Sequence, residues 1–399
     1  MKRDKKKEPG LQYMLSLRIN PAKSMSGVED QLARATDRKT AIDLLTEIGE
    51  RYTGGGDRKR DFYTLKNSTF ELSFALSSAF DGNILRNACN WIYENKEEFG
   101  STILEVGCDI GIMSCYLAET FPNAKIVSID RCKEAIENAK KLAEKRNITN
   151  VEFWATDLES LSQNFDTVFS MRVMHENISA DTKEDLVNDL TEQANIYREE
   201  VSDYARQLRE HIADGGNLIS IERIGRNALF LGWIEALNER GIHFSVDNYK
   251  EIVCREVDED SVFQAFSASL LDDSISNVTD QRDGERNAID LFFSICEKYT
   301  DFTAKEYGGW EAKNAYEYLR GDLIEGYVVE DTRDHTRCKL TIWTHRSDKN
   351  KVVYYVNNNG NAGTIVFDLG EKERVIQTIR GDVENMKKYS FMKAETMRP

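Results

Sequence analysis

No apolar run in the chain approaches the roughly 20 residues that a membrane-spanning helix needs, so a helical membrane protein is not expected. Paired cysteines are missing too. The seven, at 89, 108, 115, 132, 254, 296 and 338, are scattered, odd in number and form no C-x-x-C pair. That argues against a metal site or a disulfide framework and for a reducing, cytoplasmic setting. Positive charge is in deficit: 53 Lys and Arg face 69 Asp and Glu, for a net charge of −16. Phosphate affinity rests on clustered Lys and Arg, so neither nucleic acid nor an anionic membrane is an expected partner. Residues 1–10 are basic but have no apolar segment behind them, which makes them a solvated tail and not a secretory signal. There is no internal repeat.

The densest signal lies in residues 101–130. Residues 103–106 read as a buried strand, 107–111 as a glycine turn, 112–120 as a helix and 125–130 as a second strand ending in Asp130. The acid stands nineteen residues beyond the last glycine, where a cofactor ribose sits in β-α-β units of this kind. A dinucleotide site wants G-x-G-x-x-G, so that backbone amides can approach a pyrophosphate. Here Asp109 stands between Gly107 and Gly111. A carboxylate there repels a pyrophosphate and suits a cofactor carrying ammonium and sulfonium cations. Glu105 adds a second acid. Asp tolerates positive φ, so the turn can survive the missing glycine.

The run from Glu105 through Gly107, Cys108 and Asp109 to Gly111 resembles motif I of the class I S-adenosylmethionine-dependent methyltransferases, E/D-x-G-x-G-x-G, with Asp109 at the middle glycine. Residues 125–130 resemble motif II, whose acid, here Asp130, accepts from both ribose hydroxyls. Residues 151–157 read as a third strand, and the Asp157-Leu158 pair matches the family's adenine contact. Residues 165–171 and 217–222 supply strands four and five, and the resemblance covers residues 85–270. It implies an α/β fold with a Rossmann-like seven-stranded core. It also implies S-adenosyl-L-methionine as cofactor, leaving as S-adenosyl-L-homocysteine. The cofactor contacts would be Glu105, Gly107, Cys108, Asp109, Gly111, Asp130, Arg131, Asp157, Leu158 and Arg172. Cys108 reads as a small filler of a tight turn, not a nucleophile.

Residues 11–84 read as an N-terminal helical region, which in this family lies over the cofactor as a lid. An extended piece is expected at 11–19 and helices at 28–52, 70–80 and 84–93, with Gly54, Gly55, Gly56 and the charge run after them closing the first. Residues 272–283 are polar and mark a boundary. Residues 284–399 read as a C-terminal β-rich α+β module. Its helices are expected at 289–299 and 310–319, and its β-type runs at 324–330, 338–345, 351–356 and 364–368. An antiparallel sheet of this kind can hold an extended peptide at its edge. Arg333, Arg337, Lys339 and Arg346 form its candidate basic patch.

Methyl transfer asks for an unprotonated acceptor held in line at near-attack distance. A hydroxyl needs a general base, whereas a carboxylate needs only a cation to orient it. The ends of strands four and five supply Arg172, His175, Arg223 and Arg226. His175 reads as a base, a donor or a cap. Arg172 and Arg223 can fork onto a carboxylate, while Arg226 reads more as a surface residue. The layout also bears a weaker resemblance to stand-alone methyltransferases of lanthipeptide and other ribosomal-peptide natural-product clusters. The first expectation is therefore esterification of a peptide C-terminal carboxylate. One alternative is a small-molecule O- or N-methyltransferase using His175 as base. Another is a non-catalytic binding protein of the same fold, in which Asp109 marks a degraded turn. The expected partner is a peptide or small-molecule methyl acceptor, and the oligomeric state stays open.

Overall fold

A computed structural model describes residues 8–53, 59–178, 190–257, 260–270, 281–358 and 361–397, the side chains of 50–53, 59–61, 281–287 and 310 excepted. Most of the basic tail, Gly54 to Gly56 and residues 272–280 of the expected boundary lie outside them. The chain divides into two compact units, Met1–Gly225 with Gly232–Ala288, and Arg226–Leu231 with Ile289–Pro399.

The first unit opens with five helices: α1 (Pro9–Leu17), α2 (Met25–Ala35), α3 (Arg38–Thr53), α4 (Lys59–Lys66) and α5 (Phe70–Glu94). The extended piece expected at 11–19 is thus largely a helix. Pro9 starts α1 at a position where its missing N–H is not needed. Gly10, Tyr13 and Met14 are buried and Leu17 packs beside them, which is helical spacing and not alternation. The charge run after the glycines also continues into a helix, α4. The break expected between residues 80 and 84 does not occur, and α5 runs through Gly82. A side chain at Gly82 would meet Pro21 Cγ at 2.7 Å and Ile19 Cγ2 at 2.9 Å, so this glycine serves close packing against the segment after α1. Thr69 caps α5 by accepting from the Leu72 amide at 3.2 Å.

The core alternates strands and helices: β1 (Thr102–Val106), α6 (Ile112–Thr120), β2 (Lys125–Asp130), α7 (Lys133–Lys145), β3 (Val151–Ala155), β4 (Phe165–Met171), α8 (Leu190–Glu210), β5 (Ile212–Glu222), α9 (Ala228–Asn238), β6 (Ile242–His243), β7 (Tyr249–Arg255) and β8 (Asp260–Leu270). The sheet order is β3-β2-β1-β4-β5-β8-β6, with β7 also on β8. Strands β1 to β5 pair in parallel, and β8 runs antiparallel to β5. Eight strands stand where seven were expected. β6 pairs with Ser269 and Leu270, β7 pairs with 260–266, and a 3-10 turn at Val246–Asn248 separates them. The order reverses at β1, between β2 and β4, so the carboxyl ends of β1, β2 and β4 frame the crevice where open α/β sheets bind ligands.

The second unit holds most of α10 (Gln281–Tyr299), then β9 (Glu306–Gly308), α11 (Gly309–Leu319), β10 (Arg320–Asp331), β11 (Arg337–His345), β12 (Lys351–Asn358), β13 (Asn361–Asp368), α12 (Lys372–Lys387) and β14 (Met392–Met397). Six antiparallel strands run in the order β14-β10-β11-β12-β13-β9. Trp343, Val353 and Tyr355 pack with α11 on one face, and Leu340, Ile342 and Val352 pack with α12 on the other. The expected basic patch does not stand free. Arg333 pairs with Asp331 at 2.6 Å and Arg337 lies 3.8 Å from Glu330. Arg346 stacks on Phe293 and donates to the carbonyls of Arg320 and Glu317. Among the described residues no helix is long and apolar enough to cross a membrane.

Candidate cofactor and acceptor site

The turn after β1 bends back through three left-handed residues, Gly107 (φ 72°), Asp109 (φ 48°) and Gly111 (φ 76°). A side chain at Gly107 would meet Val173 Cγ2 at 2.5 Å, and one at Gly111 would meet Ala139 Cβ at 2.9 Å. Both glycines are thus fixed by conformation and by space. Asp109 accepts the left-handed conformation as its residue type allows. The amides of Gly107 and Cys108 donate to the Ile129 carbonyl at 2.9 and 3.0 Å, which ties the turn to the end of β2.

Asp130 ends β2 and braces the same turn. Its Oδ2 accepts from the Asp109 amide at 2.9 Å and its Oδ1 from the Cys132 amide at 2.8 Å. A carboxylate has about four acceptor sites, so lone pairs remain for a ligand. Burial, and then the Asp109 charge, push this carboxyl above its ordinary range, while the two amides pull it back. Glu105 is not brought into the crevice. It is 3% exposed and accepts from the hydroxyls of Ser114 on α6 and Ser128 on β2. Burial pushes its carboxyl up to about 7, against the pull of the two serines. Its place is under the turn, contrary to the expectation of a second acid facing the cofactor. Cys108 is buried and its thiol is pushed well up, first by burial, which suits a filler and not a nucleophile.

Asp109 is the second departure. Its carboxylate does not stand open: Lys66 Nζ of α4 lies 2.7 Å from Oδ2, with Asn67 Nδ2 and Ser77 Oγ each donating at 3.3 Å. Lys66 is 9% exposed. Burial alone would push its ammonium down, but Asp109 and Asp81 more than offset that and hold it above its ordinary value. Further ties join the helical layer to the sheet. Tyr63 donates to Glu176 at 2.8 Å, and Asp81 of α5 pairs with Arg172. Nothing in the sequence pattern singles out Lys66, Asn67 or Asp81, because their partners Asp109 and Arg172 lie 42 residues or more away.

At the expected adenine contact, Asp157 Oδ1 accepts from the Ser160 hydroxyl and amide, which hold its carboxyl below the usual range. Arg131 is exposed nearby, and Leu158 is buried. The two ring nitrogens of buried His211 lie 2.9 Å from the carbonyls of Leu158 and Gln163, fixing the loop after β3.

Of the residues expected to face the acceptor, Arg172 (φ 60°) follows β4 and answers Asp81, and Arg223 answers Glu256 at 3.0 Å. Arg226 is not a surface residue. It is 3% exposed in the second unit and donates to the Cys296 carbonyl and the Thr300 hydroxyl. His175 sits on a 3-10 turn (Met174–Asn177), its ring partly exposed and Nε2 3.5 Å from Glu176. Beside it is Glu222, the last residue of β5, fully buried. Its Oε1 accepts from Ser170 Oγ and from the amides of Val173 and Met174, while Oε2 has no partner among the described residues. Burial pushes its carboxyl up, and the field of His175 works the other way.

A family model described as a methyltransferase domain matches residues 97–266. Over these residues the chain is similar to a methyltransferase domain, and S-adenosylmethionine is the cofactor that this similarity supports. A relative named ribosomal RNA small subunit methyltransferase C, from Buchnera aphidicola subsp. Baizongia pistaciae, is 33% identical over 75 residues, 18% of this chain and 23% of its own. A probable (S)-tetrahydroprotoberberine N-methyltransferase 2 from Papaver bracteatum is 24% identical over 110 residues, 25% of this chain and 31% of its own. The chain thus spans about a quarter to a third of the length of these relatives. Magnesium protoporphyrin IX methyltransferase from Synechocystis PCC 6803, solved with bound cofactor, aligns over 56% of this chain and 90% of that one, at 14% identity and a TM-score of 0.33. That likeness is too low to speak about the acceptor.

The methyltransferase domain's donor set fits the cofactor. Two carboxylates, Asp109 and Asp130, flank the turn, and the cation beside them is a lysine. Such a crevice would repel a pyrophosphate and accept a molecule with cationic groups and a ribose.

Proposed function

We propose that the chain is an O-methyltransferase whose acceptor is a hydroxyl and whose general base is His175. The observation that carries this reading is the buried Glu222 carboxyl beside His175, with Oε2 unpartnered among the described residues. When bound, S-adenosylmethionine supplies a sulfonium-activated methyl group and leaves as S-adenosylhomocysteine. The chain's own work is to hold the acceptor oxygen in line and to take its proton. His175, on the turn after β4 and with an exposed ring, would take that proton. Glu222 then steadies the imidazolium that forms.

A peptide carboxylate is the second reading. It needs a cation to orient it, and the candidate arginines answer acids already, Arg172 to Asp81 and Arg223 to Glu256. Each would first have to give up its partner, with a charge-assisted hydrogen bond lost.

The test is intact-mass and S-adenosylhomocysteine detection over a panel of phenolic and aliphatic hydroxyls and of peptides with free and amidated C-termini. Under the hydroxyl reading, His175→Ala lowers turnover by about 10²–10⁴-fold and Arg223→Ala leaves it near wild type. Methyl gain confined to peptides with free C-termini, with Arg223→Ala the more damaging change, would replace it by the carboxylate reading.

A further inference from the structure

The end of α4 presents a charge pattern that motif I does not account for. Lys66 is nine-tenths buried, and Nζ makes one hydrogen bond among the described residues, to Asp109 Oδ2 at 2.7 Å. An ammonium has three N–H groups, so among the described residues two have no hydrogen-bond acceptor, and Nζ also lies 6.0 Å from the centre of the Tyr63 ring. A buried ammonium is costly without partners, and more so when its donors are left unmet. Asp109 is held by Lys66, Asn67 and Ser77, and Oδ1 receives only the 3.3 Å bond from Asn67. The position is fixed firmly. Asn67 is 1% exposed, Ser73 Oγ donates to its Oδ1 at 2.5 Å, and Asn138 Nδ2 of α7 donates to its carbonyl at 2.9 Å. A fixed cation and a fixed anion therefore stand side by side at the cofactor turn, each with hydrogen-bonding capacity to spare.

An α-amino acid end carries the same two charges in the opposite sense. We propose that Lys66 and Asp109 form a zwitterion clamp for the methionyl end of the cofactor, Lys66 donating to its carboxylate and Asp109 accepting from its ammonium. The inference rests on the cofactor reading above and adds a residue from the helical layer to the binding site. It also gives the Asp at the middle glycine of motif I a function. Two of the three Nζ protons suffice for the incoming carboxylate, so the Lys66–Asp109 pair need not break when the ligand enters. The clamp makes α4 part of the site, so that the helical layer recognises the one end of the cofactor that an adenosine fragment lacks.

The experiment titrates S-adenosylhomocysteine and 5′-methylthioadenosine calorimetrically into the full chain and into Lys66→Met, Lys66→Arg and Asp109→Asn. The second ligand has the same adenosine and thioether but no amino acid end. The clamp predicts that Lys66→Met and Asp109→Asn weaken S-adenosylhomocysteine at least tenfold while methylthioadenosine stays within about twofold of wild type, and that Lys66→Arg retains most of the preference. Methylthioadenosine doubles as the check that each variant keeps a folded site. Equal weakening of both ligands would reduce Lys66 to a structural tie and overturn the proposal. Tighter S-adenosylhomocysteine binding by Lys66→Met would make Lys66 a competitor for the site, and would overturn it too. Binding of neither ligand by the wild-type chain would bring down the cofactor reading itself, and the clamp with it.

Discussion

Glu105 shows how far one residue's role moves once its surroundings are known. Its type and place suggest an acid for the cofactor, yet it sits under the turn with two serine hydroxyls on one oxygen. Burial raises its carboxyl from 4.5 to about 7. Between those two values the native carboxyl holds a proton that the unfolded chain has released, so stability falls as pH rises through that window. Above it a buried charge persists, at a cost of roughly 3 kcal/mol if each unit is worth about 1.36 kcal/mol. Asp130 and Glu222, also raised, act in the same direction. Glu105→Gln should flatten the fall in unfolding free energy between pH 5 and 8 and leave the variant at least as stable as wild type at pH 8. Denaturant titrations across that range check it, and an unchanged slope would show that Glu105 is ionised throughout.

At the scale of elements, the local β-α-β patterns were legible in the chain. Helix α6 and strands β2 and β4 fall at the limits that periodicity and turn residues indicate, because each is a short apolar run closed by glycine, polar residues or a change of period. What escaped depends on contacts between distant segments. Helix α1 reads as extended until Tyr13 is seen to reach the Ile112 carbonyl at 2.7 Å. Gly82 reads as a break until Pro21 is seen against it. Strands β9 and β14 are short or polar and take their pairing from longer neighbours, β13 and β10. Gly82 also gives a test in which two effects compete. Alanine should gain up to about 1 kcal/mol in helix propensity. Its Cβ would stand 2.7 Å from Pro21 Cγ, and overpacking typically costs about 1–3 kcal/mol. The second effect is the larger, so Gly82→Ala should lower the unfolding free energy by roughly 1 kcal/mol in chemical denaturation. A gain would mean that the segment at Ile19 and Pro21 yields easily.

For the whole molecule, the cofactor was far more legible than the acceptor. The cofactor's residues recur at strand ends in a fixed order, so their spacing survives in the sequence. The acceptor side is set by which charges find partners in space. Arg172, Arg223 and Arg226 look alike in the chain, yet one meets Asp81, one meets Glu256 and one is buried on Thr300. That partnering moved the proposed acceptor from a peptide carboxylate to a hydroxyl, and it put Lys66 into the proposed site. All of it depends on one claim, that the crevice framed by Gly107, Gly111 and Asp130 holds S-adenosylmethionine. The most direct test is calorimetric titration of S-adenosylhomocysteine into the wild-type chain and into Asp130→Ala. The account predicts micromolar binding by the first and a loss of at least tenfold in the second, as the proposed acceptor of both ribose hydroxyls disappears. No binding by the wild-type chain, or equal binding by both proteins, would contradict it.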